Sequence, residues 1–159
     1  MHSMISKALL SHLSAIATQT ADRIDSLRKI ANLIRSSGNY RWVGLYDVAH
    51  EAKTVCNIVY SGPGAPKYPT FPITKGLTGE AIRTQRTVNV GDVASDSRYL
   101  TAFGSTQSEV IVPIFDVREE RVVGTIDIES EHRNAFDAET QRILEECSKA
   151  ISALWRIEG

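Results

Sequence analysis

The stretch Ser108-Glu-Val-Ile-Val-Pro-Ile-Phe115 and the later run Val122-Val-Gly-Thr-Ile-Asp-Ile-Glu-Ser130 decide how this chain folds. Both are dominated by β-branched residues, the composition of strands packed in a core. Both also carry acids: Glu109 in the first, Asp127 and Glu129 in the second. Side chains alternate along a strand, so Thr125, Asp127 and Glu129 share one face while Ile126 and Ile128 share the other. Glu109 shares its face with Ile111 and Pro113. The segment Asp116-Val-Arg-Glu-Glu-Arg121 joins the two runs. In a hairpin, partners whose position numbers add to an even value bring Glu109 to the Asp127 face, and an odd value separates them. A three-residue loop at Glu119 to Arg121 gives the even register; a bulge would undo it.

Outward from this hairpin, the code changes twice. Toward the N-terminus, Tyr40 to Val48 and Lys53 to Tyr60 read as two more strands, joined by a short turn at Ala49 to Ala52. Ser61-Gly-Pro-Gly-Ala-Pro66 is irregular, and Pro69 and Pro72 mark Lys67 to Ile73 as an edge strand. Gly76 to Gln85 reads as a short helix and Thr87 to Val90 as a brief strand. Gly91 to Thr101, rich in Asp and Ser, reads as a loop with room for one helical turn. Before all of these, Ile5 to Ser36 repeats apolar residues at helical spacing and stops at Ser36-Ser-Gly-Asn39, with Gly38 as the expected cap. After the hairpin, Asp137 caps a final helix on which Ile143, Cys147, Ile151 and Leu154 form one stripe. Strands joined by short turns, with helices at both ends, predict an α+β fold. Its central antiparallel sheet carries the N- and C-terminal helices on one face and loops plus a short helix on the other.

The bulk properties narrow the function. The 159 residues suit one domain, with 42% hydrophobic and 23% charged residues. A formal net charge of -1 gives no footprint for nucleic acid or for an anionic membrane surface. Neither a signal peptide nor a membrane span is expected. Cys56 and Cys147 have no zinc or disulfide-framework spacing and read as reduced thiols of a cytoplasmic protein. His2, His12, His50 and His132 show no metal spacing and read as surface residues. No cofactor and no metal ligand set is expected.

Trp42-Val-Gly-Leu-Tyr46, Ile73-Thr-Lys-Gly-Leu-Thr-Gly79, Asp92-Val93, Ser108 to Pro113 and Gly124 to Ser130, in that order, resemble the GAF domain family. The resemblance divides the chain into an N-terminal helix, 1–20, and a GAF domain, 21–159. Within the family, the motifs are most similar to the stand-alone free methionine-R-sulfoxide reductases. Those enzymes work through cysteine thiolates, one attacking the sulfoxide sulfur and another resolving the product. The family's glycine-valine-cysteine-glycine motif falls on Gly76-Leu-Thr-Gly79, so Thr78 stands in place of a cysteine. Ala102 and Tyr68 fall near the other two cysteine positions. A threonine hydroxyl with no strong base in reach is a poor nucleophile at neutral pH.

The resemblance also places Glu109 and Asp127 in a ligand pocket, facing the amino group of a small guest, with Glu129 beside them. Two carboxylates near one cation suit each other electrostatically. Equally, Glu109 could cap the preceding loop, and Asp127 and Glu129 could be solvated. Gly76 to Gly79, a glycine-rich helix entry, offers backbone N–H groups for a carboxylate or serves plain helix entry. Trp42 and Tyr46, on one strand face, wall the pocket or simply pack on the sheet. Tyr99 and Phe103 form a lid or an inert loop. The resulting expectation is a non-catalytic, small-molecule-binding sensor or regulatory domain for an amino-acid-like ligand. The alternatives are a divergent methionine-sulfoxide reductase, and a dimerisation module with a vestigial pocket that pairs through its terminal helices as a homodimer.

Overall fold

A computed structural model describes residues 2–19, 21–100 and 104–155 of the chain. Two helices open it, α1 (His2–Ala17) and α2 (Arg23–Gly38). They are separate helices, because Asp22 caps the second, accepting from the Asp25 N–H. Gly38 is not the cap residue that the sequence suggested: the helix runs through it, and Asn39 takes the left-handed conformation at φ 52°. Asparagine tolerates that region better than other side-chain-bearing residues.

Six strands follow: β1 (Trp42–Ala49), β2 (Thr54–Ser61), β3 (Thr70–Pro72), β4 (Val88–Val90), β5 (Ser108–Phe115) and β6 (Val122–Ser130). They form one sheet in the order β3-β2-β1-β6-β5-β4, antiparallel throughout. Helix α3 (Gly76–Thr84) lies between the edge strands, a 3-10 turn at Val93–Ser95 follows β4, and α4 (Ala138–Ile151) with a 3-10 turn at Ser152–Trp155 follows β6. The edge strand β3 is shorter than the Lys67 to Ile73 span read from sequence, because Pro69 and Pro72 bracket it and cannot donate to a ladder. Helix α4 starts as expected, with Asp137 Oδ1 accepting from the Thr140 N–H at 2.8 Å.

The main core lies between the sheet and α1, α2 and α4. Leu13, Ile30, Leu45, Ile126, Ile128 and Ile151 are all fully buried there, together with Cys147. The opposite face of the sheet carries two smaller apolar clusters. Leu77 and Ala81 of α3 pack on Val88, Val90 and Ile111. Trp42, Tyr46, Val48, Val55 and Val122 form the second. Among the described residues, no helix is long and apolar enough to cross a membrane.

The β5–β6 connection is longer than the three residues expected, because β5 ends at Phe115 and β6 begins at Val122. Phe115 pairs with Val122 in an odd register, and a bulge after Ile114 restores the even one. The bulge therefore creates the register that the sequence reading took it to threaten. Beyond it Glu109 faces Glu129 directly, and Ile111 faces Asp127. On the other flank of β6, Trp42 pairs with Glu129, Gly44 with Asp127 and Tyr46 with Thr125. All three acids, Trp42 and Tyr46 thus project from the face opposite the main core.

Candidate functional site

Glu109, Asp127 and Glu129 are 6%, 8% and 0% exposed, and one carboxylate oxygen of each lies within 4.8 Å of the others. They sit between the two small apolar clusters, on the central strands of the sheet. The Trp42 ring packs over Gly44, the pairing partner of Asp127, where a Cβ would collide with it. Trp42 is 1% exposed, stacks on Tyr60 at 6.1 Å between ring centroids, and donates its indole N–H to the Gly64 carbonyl at 2.9 Å.

Burial makes the charged forms costly. It raises Glu109 well above the usual carboxylate range, with the charge of Asp127 and a hydrogen bond to Asp127 adding to the effect. Burial also raises Asp127 to about 6, while the hydrogen bond from Glu109 holds it down. The contact between them therefore favours the neutral form of Glu109 and the charged form of Asp127. Glu129 rises to about 8 through burial first and the charge of Asp127 second. Hydrogen bonds from Thr106, at 2.7 Å, and from Tyr99 offset part of that rise. The Tyr46 hydroxyl is pushed up as well, by burial and then by the charges of Asp127, Glu129 and Glu109.

An inner cavity of about 40 Å³ opens on Glu109 and Asp127, with Tyr46, Tyr68 and Thr78 among its walls. Helix α3 supplies its far side. Lys75 caps that helix without a side-chain hydrogen bond, and Gly76, Leu77 and Thr78 line the cavity. Gly76 has φ +69°, and a Cβ there would lie 3.3 Å from Leu100 Cβ. The glycine thus provides a left-handed entry and lets Leu100 approach closely. On the outer side of Lys75, Gly76 and Leu100 lies an open groove of about 540 Å³, which also includes Arg98 and Tyr99.

Of the residues singled out from sequence, the fold brings Tyr46, Tyr68, Thr78, Glu109 and Asp127 to the inner cavity. Glu129 and Tyr99 stand next to it, joined by a hydrogen bond. Trp42 projects from the same face but lies behind Tyr46, 6.5 Å away between ring centroids, and does not line the cavity. Tyr68 is 38% exposed, at the rim. Ala102 and Phe103 lie outside the described residues. Thr106, Lys75 and Leu100 were missed. Lys75 abuts the glycine motif and was within reach of that reading, whereas Thr106 and Leu100 acquire their roles only through tertiary contact. His50 departs from the surface reading: it is half-buried, its Nε2 2.7 Å from the Val122 carbonyl oxygen.

Both thiols lie across the sheet from the acids. Cys147 is in the main core, where burial pushes it up to about 12. Cys56 pairs with Asp47, whose carboxylate meets Arg23 of α2, while the neighbours Val55 and Val48 face the other way.

The GAF domain family model matches residues 22–154. GAF domain-containing protein A of Dictyostelium discoideum is 24% identical over 143 residues, spanning 90% of this chain and 87% of its own. The free methionine-R-sulfoxide reductase of Saccharomyces cerevisiae is 31% identical over 112 residues, 70% of this chain and 61% of its own. In three dimensions, the free methionine-R-sulfoxide reductase of Neisseria meningitidis superposes with a TM-score of 0.87 at 24% identity, over 98% of this chain and 90% of that one. That likeness carries the fold.

Proposed function

The chain belongs to the GAF domain family, and from that premise we propose that it is a small-molecule-binding domain without thiol catalysis. The guest we propose presents a cationic group to Glu109 and Asp127, with Glu129 beside them. One observation carries this reading: two buried acids face a hollow, with a third beside them, on the side of the sheet that holds neither cysteine. A cation would let the carboxylates ionise together, which burial otherwise opposes. The unsupplemented entry of α3 and Lys75 offer positive potential at the opposite wall, which suits a carboxylate. An amino acid or a related zwitterion satisfies both ends.

The inner cavity of about 40 Å³ holds an ammonium head rather than a whole amino acid. The remainder of the guest would extend past Lys75, Gly76 and Leu100 toward the outer groove, which those three residues also line. Isothermal titration with a panel of amino acids and primary amines tests the reading. Binding that is lost in Asp127→Asn is expected, and affinity should rise with pH as the acids release their protons. An inert panel at millimolar concentration would overturn it.

A second reading, sulfoxide reduction, is favoured by the similarity to the yeast enzyme. It requires a thiolate at the guest, and Thr78 occupies the cavity wall where the resemblance calls for cysteine. Incubation with free methionine-R-sulfoxide and dithiothreitol separates the two readings. No methionine is expected, and turnover would establish the enzyme.

A further inference from the structure

Independently of any organic guest, we propose that Glu109, Asp127 and Glu129 form a binding site for a hard divalent cation such as Ca²⁺ or Mn²⁺. The three donor oxygens lie within 4.8 Å of one another. Two ligands on opposite sides of a calcium ion, each at about 2.4 Å, are separated by that same span. The donors project from paired central strands, so the backbone ladder fixes their spacing. Every donor is oxygen, and both cysteines lie across the sheet, which selects hard over soft ions.

Two further observations point to an occupant. Asp127 Oδ1 is buried without a hydrogen-bond partner, and so is the hydroxyl of Thr125, one pleat away on the same face and 0% exposed. Tyr46, 3% exposed, also lines the cavity beside Glu109 and Asp127. Burial without a partner is costly for such groups. No close ion pair among the described residues involves any of the three acids, and Arg41 acts on Glu129 alone, through its charge. The cavity of about 40 Å³ has room for an ion and one or two waters, completing a shell that the protein only half supplies.

The test uses the full chain stripped with EDTA, in buffer free of amino acids. Calorimetry with CaCl₂ and MnCl₂ should give one ion per chain with a dissociation constant below about 1 mM. Asp127→Asn should weaken binding at least tenfold, and the exposed control Glu119→Gln should leave it unchanged. Should Asp127→Asn fail to fold, Mn²⁺ broadening of wild-type amide resonances locates the ion without a variant. Broadening centred on Gly44, Glu109 and Asp127 supports the site. Broadening centred on surface acids such as Glu131, or no binding at about 10 mM, overturns it. A chain that takes amino acids but no metal sinks this inference alone, and the converse leaves it standing without the organic guest.

Discussion

Asp127 shows how a single side chain acquires its chemistry from its neighbours. Its strand and its alternation are legible in Gly124 to Ser130, and so is its membership of the Glu129 face. Its burial is not, because that depends on Trp42 folding over Gly44 and on α3 closing the far wall. The pH dependence of stability follows from that burial. In acid, the triad is protonated in both folded and unfolded chains and favours neither. Above about pH 4 the unfolded chain has released these protons while the folded chain still holds them. Folding then binds protons, and stability falls by about 1.4 kcal/mol per pH unit for each proton of difference. The window runs from the ordinary carboxylate range up to about 6 for Asp127 and about 8 for Glu129. Thermal melts of the guest-free protein should therefore show a falling Tm between about pH 5 and pH 8, with a flatter profile in Glu129→Gln. The thiols provide another residue-scale check. Cys147 is fully buried and raised to about 12, whereas Cys56 is half-buried. A disulfide reagent such as DTNB should label Cys56 quickly in the native protein and Cys147 only after unfolding.

At the scale of elements, the helices and long strands were readable because their apolar periods are clean. The hairpin was harder, since its register depends on a bulge. The even register was one of two open alternatives until the pairing of Ile114 and Phe115 was visible. Pro113 and Gly124 fall in the part of the ladder beside that irregularity, yet neither signals it uniquely. Capping is more transparent. Asp137 reads as an N-cap from sequence and acts as one in the structure. Asp137→Ala should lower stability by about 1 kcal/mol in chemical denaturation, with the fold unchanged by circular dichroism. Helix α3 behaves differently. Its start was legible in Gly76 to Gly79, but the role of Leu100, packed against Gly76 between cavity and groove, has no local signature.

Over the whole molecule, α1 is bound into the same core as the rest of the chain. Leu13 is fully buried and belongs to the cluster that includes Leu27, Ile151 and Trp155. Leu13→Ala should cost about 3 kcal/mol, measured as a shift in the urea midpoint at constant slope. A loss of that size identifies α1 as part of the folding unit, and a negligible loss would make it an appendage. That Asp127 and Glu129 share a side of the sheet was within reach of a parity argument from sequence, whereas the sides of Glu109 and Cys56 depend on register shifts. The closeness of the cavity walls was not within reach, because it arises from loops whose path local preference does not dictate.

Beyond the bulge, the pleat of β6 divides evolutionary change into two currents. Odd-numbered positions take the face of the hollow, and even-numbered ones meet the helices. Drift at 125, 127 and 129 can therefore retune selectivity while the hydrocarbon interior stays intact, and drift at 126 and 128 does the reverse. Sulfur chemistry cannot migrate between the two sides by small adjustments, since a one-residue slip would turn the isoleucines toward the hollow and the acids into oil. A thiol on the hollow's side would therefore have to come from a new cysteine there, since Cys56 and Cys147 both lie across the sheet.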